Sequence, residues 1–258
     1  VTSTPGLELH ALDGIPEVKA GDDLGALIAA AINAAGIGLT DDDVVVVTQK
    51  VVSKAEDRVV ALSSVEPNQS ARAWAERWGK DPRQVEVVLR ESAEVLRWAE
   101  GGLIISRTAH GFVCANAGVD VSNTGPEPET ATLLPEDPDA SARDIRARLG
   151  ALTGSFPAVL VTDSFGRPWR DGITDVTLGA AGIEVVADLR GTLDADGREL
   201  HATVVAVGDE LASAAELAAG KATGRPVVLV RGYRYARPVG EDRGARPLVM
   251  DPARNLFP

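Results

Sequence analysis

Val44–Thr48 is an unbroken run of β-branched residues. A strand built this way has no polar face to offer water, so it must be buried on both sides. Pro157–Thr162 reads as another buried strand and Val227–Val230 as a final one. Amphipathic helices lie between them. Asp22 opens one in which Leu24, Leu27, Ile28, Ala31, Ile32 and Ala35 follow the i, i+3, i+4, i+7 pattern, with Gly36 placed to stop it. Ala71–Trp78 and Val85–Trp98 read as helices, the second with Val85, Val88, Leu89, Val95 and Leu96 largely on one face. Asp139–Leu149 and Asp209–Ala219 read as two more. Leu7–Leu12 reads as a short strand, Leu103–Ser106 and Phe112–Ala115 as a pair around a turn near His110, and Val176–Leu189 contains a strand. Asp41–Asp43 and Asp194–Gly197 are turns, and Thr124–Pro138 is a loop. From Gly232 the chain is rich in Arg, Pro and Gly and reads as a poorly ordered tail or a linker. Strands and helices mix without a clean βαβα alternation, which favours α+β over a doubly wound parallel sheet.

The chain has 258 residues, 45% hydrophobic and 25% charged. That suits one large domain or two interlocked small ones. The formal charge of −12 argues against nucleic acid and anionic membranes, since both are gripped through Lys and Arg. An anionic ligand would need local cations or a metal. Cys114 is the sole cysteine, so no intrachain disulfide or multi-cysteine zinc site is possible. No run of about 18 apolar residues exists to span a bilayer. No basic segment followed by an apolar one opens the chain, so the expected location is cytoplasmic.

Several motifs are missing: a Walker A loop (Gly220-Lys221 is followed by Ala222), GxGxxG, HExxH and GxSxG. Asp194–Gly197 resembles part of a calcium loop but lacks the glutamate at its twelfth position. Three constellations remain. Thr48–Lys54 carries two of the five lysines directly after a buried strand; they would meet phosphate as point charges, or form a solvated pair on an exposed hairpin. Asn116–Asn123 sets Asp120 among small residues and amides, a setting for a hard cation or a plain Asx-turn. Val161–Gly172 delivers Asp163 and Ser164 at a strand end, then Arg167, Trp169 and Arg170. The acid and hydroxyl suit a metal and the arginines an anion; otherwise Asp163 caps a turn and pairs with Arg167. Together they describe a phosphate-rich ligand bridged to Asp120 and Asp163 by divalent cations.

In order, VVVVTQKVVSK (44–54), HGFVCANAGVDVSN (110–123), LLPEDPDASA (133–142), TDSFGRPWRDGITD (162–175), GAAGI (179–183) and residues 207–221 resemble the coenzyme F420-0:L-glutamate ligases (CofE), including the ligase half of two-domain actinobacterial FbiB proteins. Here F420 names a deazaflavin coenzyme, not a residue. The resemblance covers 7–232 and implies a catalytic domain of that extent, with 233–258 as a tail or linker. It implies an α+β fold of two interlocked subdomains in an intertwined homodimer. The implied reaction uses GTP, with Mg2+ or Mn2+ and a possible contribution from K+. GTP phosphorylates the acceptor carboxylate of F420-0, the amine of L-glutamate attacks the acyl phosphate, and later glutamates are γ-linked.

Position by position, the resemblance makes Ile15, Pro16, Glu17 and Val18 a nucleotide-contacting segment. Gln49, Lys54, Asn123 and the loop holding Gly220 and Lys221 are further nucleotide contacts. Asp120 and Asp163 are implied metal ligands, with the Ser164 hydroxyl beside them. Where some members carry an acidic metal ligand, this chain has Lys221. That implies either a phosphate contact or a lower metal count. No nucleophilic side chain is required, and Cys114, between Val113 and Ala115, reads as a buried small residue. In the two-domain relatives a flavin-binding domain follows, and this chain stops at Pro258, about where it would begin; a stand-alone ligase or a ligase half alone is expected. The alternatives are the same scaffold ligating another amino acid or acceptor acid, and a non-catalytic deazaflavin-binding protein.

Overall fold

A computed structural model describes residues 6–121 and 130–254. In chain order the elements are β1 (Glu8–Ala11), α1 (Leu24–Ala34), β2 (Val44–Thr48), α2 (Gln49–Ala55), β3 (Val59–Ala61), α3 (Gln69–Trp78), α4 (Pro82–Glu91), β4 (Ser92–Ala99), β5 (Leu103–Thr108) and β6 (Val113–Ala115). There follow β7 (Thr130–Thr132), α5 (Pro138–Thr153), β8 (Ala158–Arg167), β9 (Arg170–Ala181), β10 (Ala187–Asp188), β11 (Val204–Val205), α6 (Val207–Ala219) and β12 (Val227–Arg231). The fold is mixed α+β, as expected. Among the described residues no helix is long and apolar enough to cross a membrane.

The three apolar runs lie side by side in the central sheet, whose order is β1-β12-β2-β8-β9. Only β2 and β8 are parallel; the other pairs are antiparallel. Successive residues of a strand face opposite ways, so each run feeds two cores. Val45, Val47, Val159, Val161 and Leu229 pack with Ile28 of α1 and Ile145 and Leu149 of α5. Val44, Val46, Leu160, Val228 and Val230 pack with Leu211 and Ala215 of α6. Each fully buried Val or Leu contributes about 1.5–3 kcal/mol, which is why the centre of the sheet needs no polar residue. A smaller layer sets α3 and α4 against the β4-β5-β6 sheet around Ala71, Ala75, Val85, Val88 and Ile104. It meets the central sheet where the Phe112 ring lies edge-on to Phe165 of β8, centroids 6.4 Å apart.

Several expectations are corrected. The helix opening at Asp22 is capped by Asp23, whose Oδ1 accepts from the Ala26 N–H at 2.9 Å; Asp22 instead accepts from the Lys19 N–H. The helix expected over Val85–Trp98 stops at Glu91, and Ser92–Ala99 is a strand paired with β5. Val95 and Leu96 suit either period, and the β5 partner decides between them. The strand β7, pairing with β3, lies inside the expected loop 124–138. The possible hairpin after Thr48 is the helix α2. The segment after Gly232, expected to be poorly ordered, is docked. The Tyr235 hydroxyl donates to the Asp41 carbonyl at 2.8 Å, Glu184 N–H donates to the Ala236 carbonyl at 2.8 Å, and Ala245 N–H donates to Asp139 Oδ1 at 2.8 Å. Ala245 itself is buried in the α6-side core.

Candidate active site

The parallel pairing of β2 with β8 runs in register to Thr48 opposite Thr162. Beyond this pair β2 passes into α2 while β8, expected to end near Asp163, runs on to Arg167 paired with β9 alone; the carboxyl end of such a parallel pair is where open sheets commonly place ligands. Here α2 carries Gln49 and Lys50, and β8 carries Asp163 and Ser164. A register shift against β9 falls between Val161 and Thr162, and such bulges re-aim the side chains beyond them. Beyond it Ser164 faces Asp175 of β9. The Ser164 hydroxyl donates to Asp175 Oδ1 at 2.5 Å, and the Lys221 ammonium donates to the Ser164 hydroxyl oxygen. Lys221 Nζ is also 4.0 Å from Asp175 Oδ1.

Asp120 arrives from the other side. Asn116 and Ala117 have φ of 51° and 53°, followed by Gly118 at 71°. Left-handed backbone at non-glycine residues is uncommon; here it turns the chain from β6 toward Asp120. The backbone of Asp120 then exchanges hydrogen bonds of 2.9 and 2.8 Å with Thr132. Its carboxylate meets Lys50 Nζ at 2.6 Å. Asp163 is close enough to feel the charges of Asp175, Lys221 and Asp120. Burial pushes its carboxyl up to about 6; Asp175 and Asp120 push the same way, while the Ser164 N–H and Lys221 pull it down. Burial, with Asp163 nearby, also raises the Cys114 thiol to about 12, so this buried cysteine is inert at neutral pH.

The structure joins other expected residues to the site unevenly. Glu17 meets Lys54, Oε1 to Nζ 2.5 Å, which brings the 15–18 segment to α2. Val18 is buried in the core that also holds Val52 of α2, and Ile15 packs against that core, so this segment meets α2 through apolar packing as well as through Glu17. Gln49 is 3% exposed, and its amide donates to the Leu133 carbonyl at 2.8 Å and to the Ser53 hydroxyl. Gly220, with φ of 71°, ends α6 and starts the loop that carries Lys221. Asn123 lies outside the described residues. Arg167, Trp169 and Arg170 stand apart at the tip of the β8–β9 hairpin. There Trp169 is 76% exposed, and Arg167 donates to the Asp171 carbonyl rather than pairing with Asp163. Asp175 joins the site although no local pattern marks it. The nearest signal is the turn chemistry of residues 166–172, which centres a hairpin and folds 175 back onto 164.

The residues suit a hard divalent cation of the Mg2+ type. Among the described residues no group of three or more His, Cys, Asp and Glu forms a metal cage. Mg2+ does not require one: it commonly takes one or two carboxylates and completes its shell with water and substrate phosphates. Asp120 and Asp163 supply that number. Burial first, and then the charges of Asp175 and Asp120, raise the Asp163 carboxyl, and a bound cation would favour its charged form.

A family model described as F420-0:Gamma-glutamyl ligase matches residues 14–232. The coenzyme F420:L-glutamate ligase of Methanothermobacter thermautotrophicus is 44% identical over 253 residues, covering 98% of this chain and 99% of that one. That of Methanopyrus kandleri is 44% identical over 261 residues, with 98% and 99% covered. That of Haloarcula marismortui is 41% identical over 257 residues, with 97% and 95% covered. The matched stretch includes β2, α2, β8, β9 and the Lys221 loop, the elements that bring the acids and lysines together, and the chain belongs to the F420-0:gamma-glutamyl ligase family.

Proposed function

We propose that this chain is a GTP- and divalent-metal-dependent ligase. It joins L-glutamate to the carboxylate of coenzyme F420-0 through an acyl phosphate, first by an amide and then by γ-linkages, as a cytoplasmic homodimer. The observation that carries the reading is the meeting of Asp163, Asp175 and Asp120 with Lys50 and Lys221 at the carboxyl ends of two parallel strands. The relatives are named for joining L-glutamate to this coenzyme, and the family membership brings that activity here as a proposal.

Phosphoryl transfer asks the protein chiefly for position and charge neutralisation. Asp120 and Asp163 would hold Mg2+ or Mn2+ beside the Ser164 hydroxyl, which Lys221 contacts; when bound the metal neutralises phosphate oxygens and polarises the transferred group. Lys50 and Lys54 extend from one short helix rooted in the sheet, so their ammonium groups are positioned to meet the nucleotide's phosphates; Glu17 holds Lys54 toward the 15–18 segment. Asp175, buried beneath Ser164, fixes the hydroxyl rotamer. Cys114 takes no part, its thiol being far from ionised. For the homodimer, the outward face of β5 and β6 presents Leu103 and Val113, 40% and 51% exposed, and a second copy would cover it.

The test is mass spectrometry of purified protein with GTP, Mg2+ or Mn2+, L-glutamate and the unglutamylated deazaflavin. Product ions spaced by glutamate residues, lost without GTP or metal, are expected. GTP bound with no product would move the assignment to another amino acid, another acceptor or a binding role.

A further inference from the structure

We infer that the Lys221 ammonium is a built-in cation at the Ser164–Asp175 edge of the acid cluster, holding a position that a bound metal or potassium ion would otherwise fill. The chain would then load one cation fewer than the same carboxylates would with an acidic residue at 221.

Asp175 is buried, 6% exposed, and a buried carboxylate requires a compensating positive charge. Among the described residues Lys221 is the one cation within 4 Å of it. The Ser164 hydroxyl gives its proton to Asp175, so its lone pairs face outward, and the Lys221 ammonium sits on them. An oxygen that has given its proton to a carboxylate is the donor atom a small cation takes. The loop is built to present the charge there. Gly220 turns the chain with φ of 71° at the end of α6, and the Thr223 hydroxyl ties the turn to the Ala219 carbonyl. A charged lysine is a compact point charge with no lone pair. It can stand in for a monovalent ion among oxygens but cannot ligate one. It therefore excludes a second ion from the position it fills, and the first would be held by Asp163 and by Asp120, whose carboxylate Lys50 now neutralises.

The ion-binding part of the test stands without the ligase reading; only the activity part rests on it. Binding of Mn2+ to the full, nucleotide-free chain is followed by the paramagnetic resonance signal of free Mn2+, with thermal melts confirming that each variant is folded. Lys221→Glu is expected to bind one more Mn2+ per chain than the parent. Glutamate ligation by Lys221→Ala is expected to become dependent on added K+ or NH4+, rising about tenfold, the scale of one charge-assisted interaction restored. The parent should respond little, and Lys221→Arg, which keeps the charge, should stay insensitive to potassium whatever its rate. Equal Mn2+ stoichiometry and affinity in the parent and Lys221→Glu would overturn the inference. Should Lys221→Glu not fold, Lys221→Ala indifferent to monovalent ions would overturn it. If the parent forms no product at all, the ligase reading fails and the Mn2+ stoichiometry alone decides.

Discussion

At Asp163 the fold buries a carboxyl, and the charges of Asp175 and Asp120 act in the same direction, so its proton is held more tightly in the native chain than in the unfolded one. The sign of the linkage follows: stability from this group is fully present below the unfolded value and is lost as pH rises through about 6. Metal-free Asp163→Asn should therefore be more stable than the parent at pH 8, by about 1–3 kcal/mol, with the gain gone near pH 4. Denaturant melts at the two pH values check this; an equal gain at both would show that the ionised carboxyl is not what costs stability. Protons and Mg2+ compete for the same oxygens, so metal affinity should also fall as pH drops below about 6. Asp120→Ala and Asp163→Ala should each lower amide formation by about 100-fold or more while leaving the fold intact. Full activity in both would sink the metal assignment. Asp120, Asp163, Ser164 and the lysines were legible because each follows a recognisable strand or turn in the sequence. Asp175 was not, because its role depends on the register of a hairpin.

At the scale of elements, the site rests on how tightly α5 approaches β9. A Cβ on Gly179 would lie 2.1 Å from the Pro138 carbonyl oxygen, and backbone cannot yield as a flexible side chain does. Gly179→Ala should cost about 2 kcal/mol or more and displace the Asp175 strand. A chemical-denaturation midpoint shift together with lost activity would show this, whereas an unchanged midpoint would refute the close approach. In α2, Gln49→Leu would leave the buried Leu133 carbonyl without its partner and should cost about 1–3 kcal/mol. The same melts check it, and nucleotide affinity measured alongside separates a structural role from a direct contact. The strands of the central sheet were readable because their residues allow no other burial. The boundary at Glu91–Ser92 was not, since local pattern cannot distinguish the end of an amphipathic helix from a strand whose partner is distant.

For the whole molecule, residues 233–245 are part of the folded body: they cover the α6-side core with Ala245 and contact Asp41, Asp139 and Glu184. Truncation after Gly232 should lower the thermal midpoint by several degrees, since about 1 kcal/mol corresponds to 2–4 °C in a chain of this size. An unchanged midpoint would make the segment dispensable. The sequence by itself determined that the apolar strand runs are buried, that the chain mixes strands and helices, and which segments carry acids and lysines. Those follow from local composition and period, because apolar runs and turn residues have few physical solutions. Only the tertiary structure decided that Thr48 lies opposite Thr162, that Ser164 faces Asp175, and that Lys221, more than forty residues further along the chain, sets its charge on both. Strand order, register and the docking of loops depend on contacts between residues distant in sequence, and no local pattern encodes them.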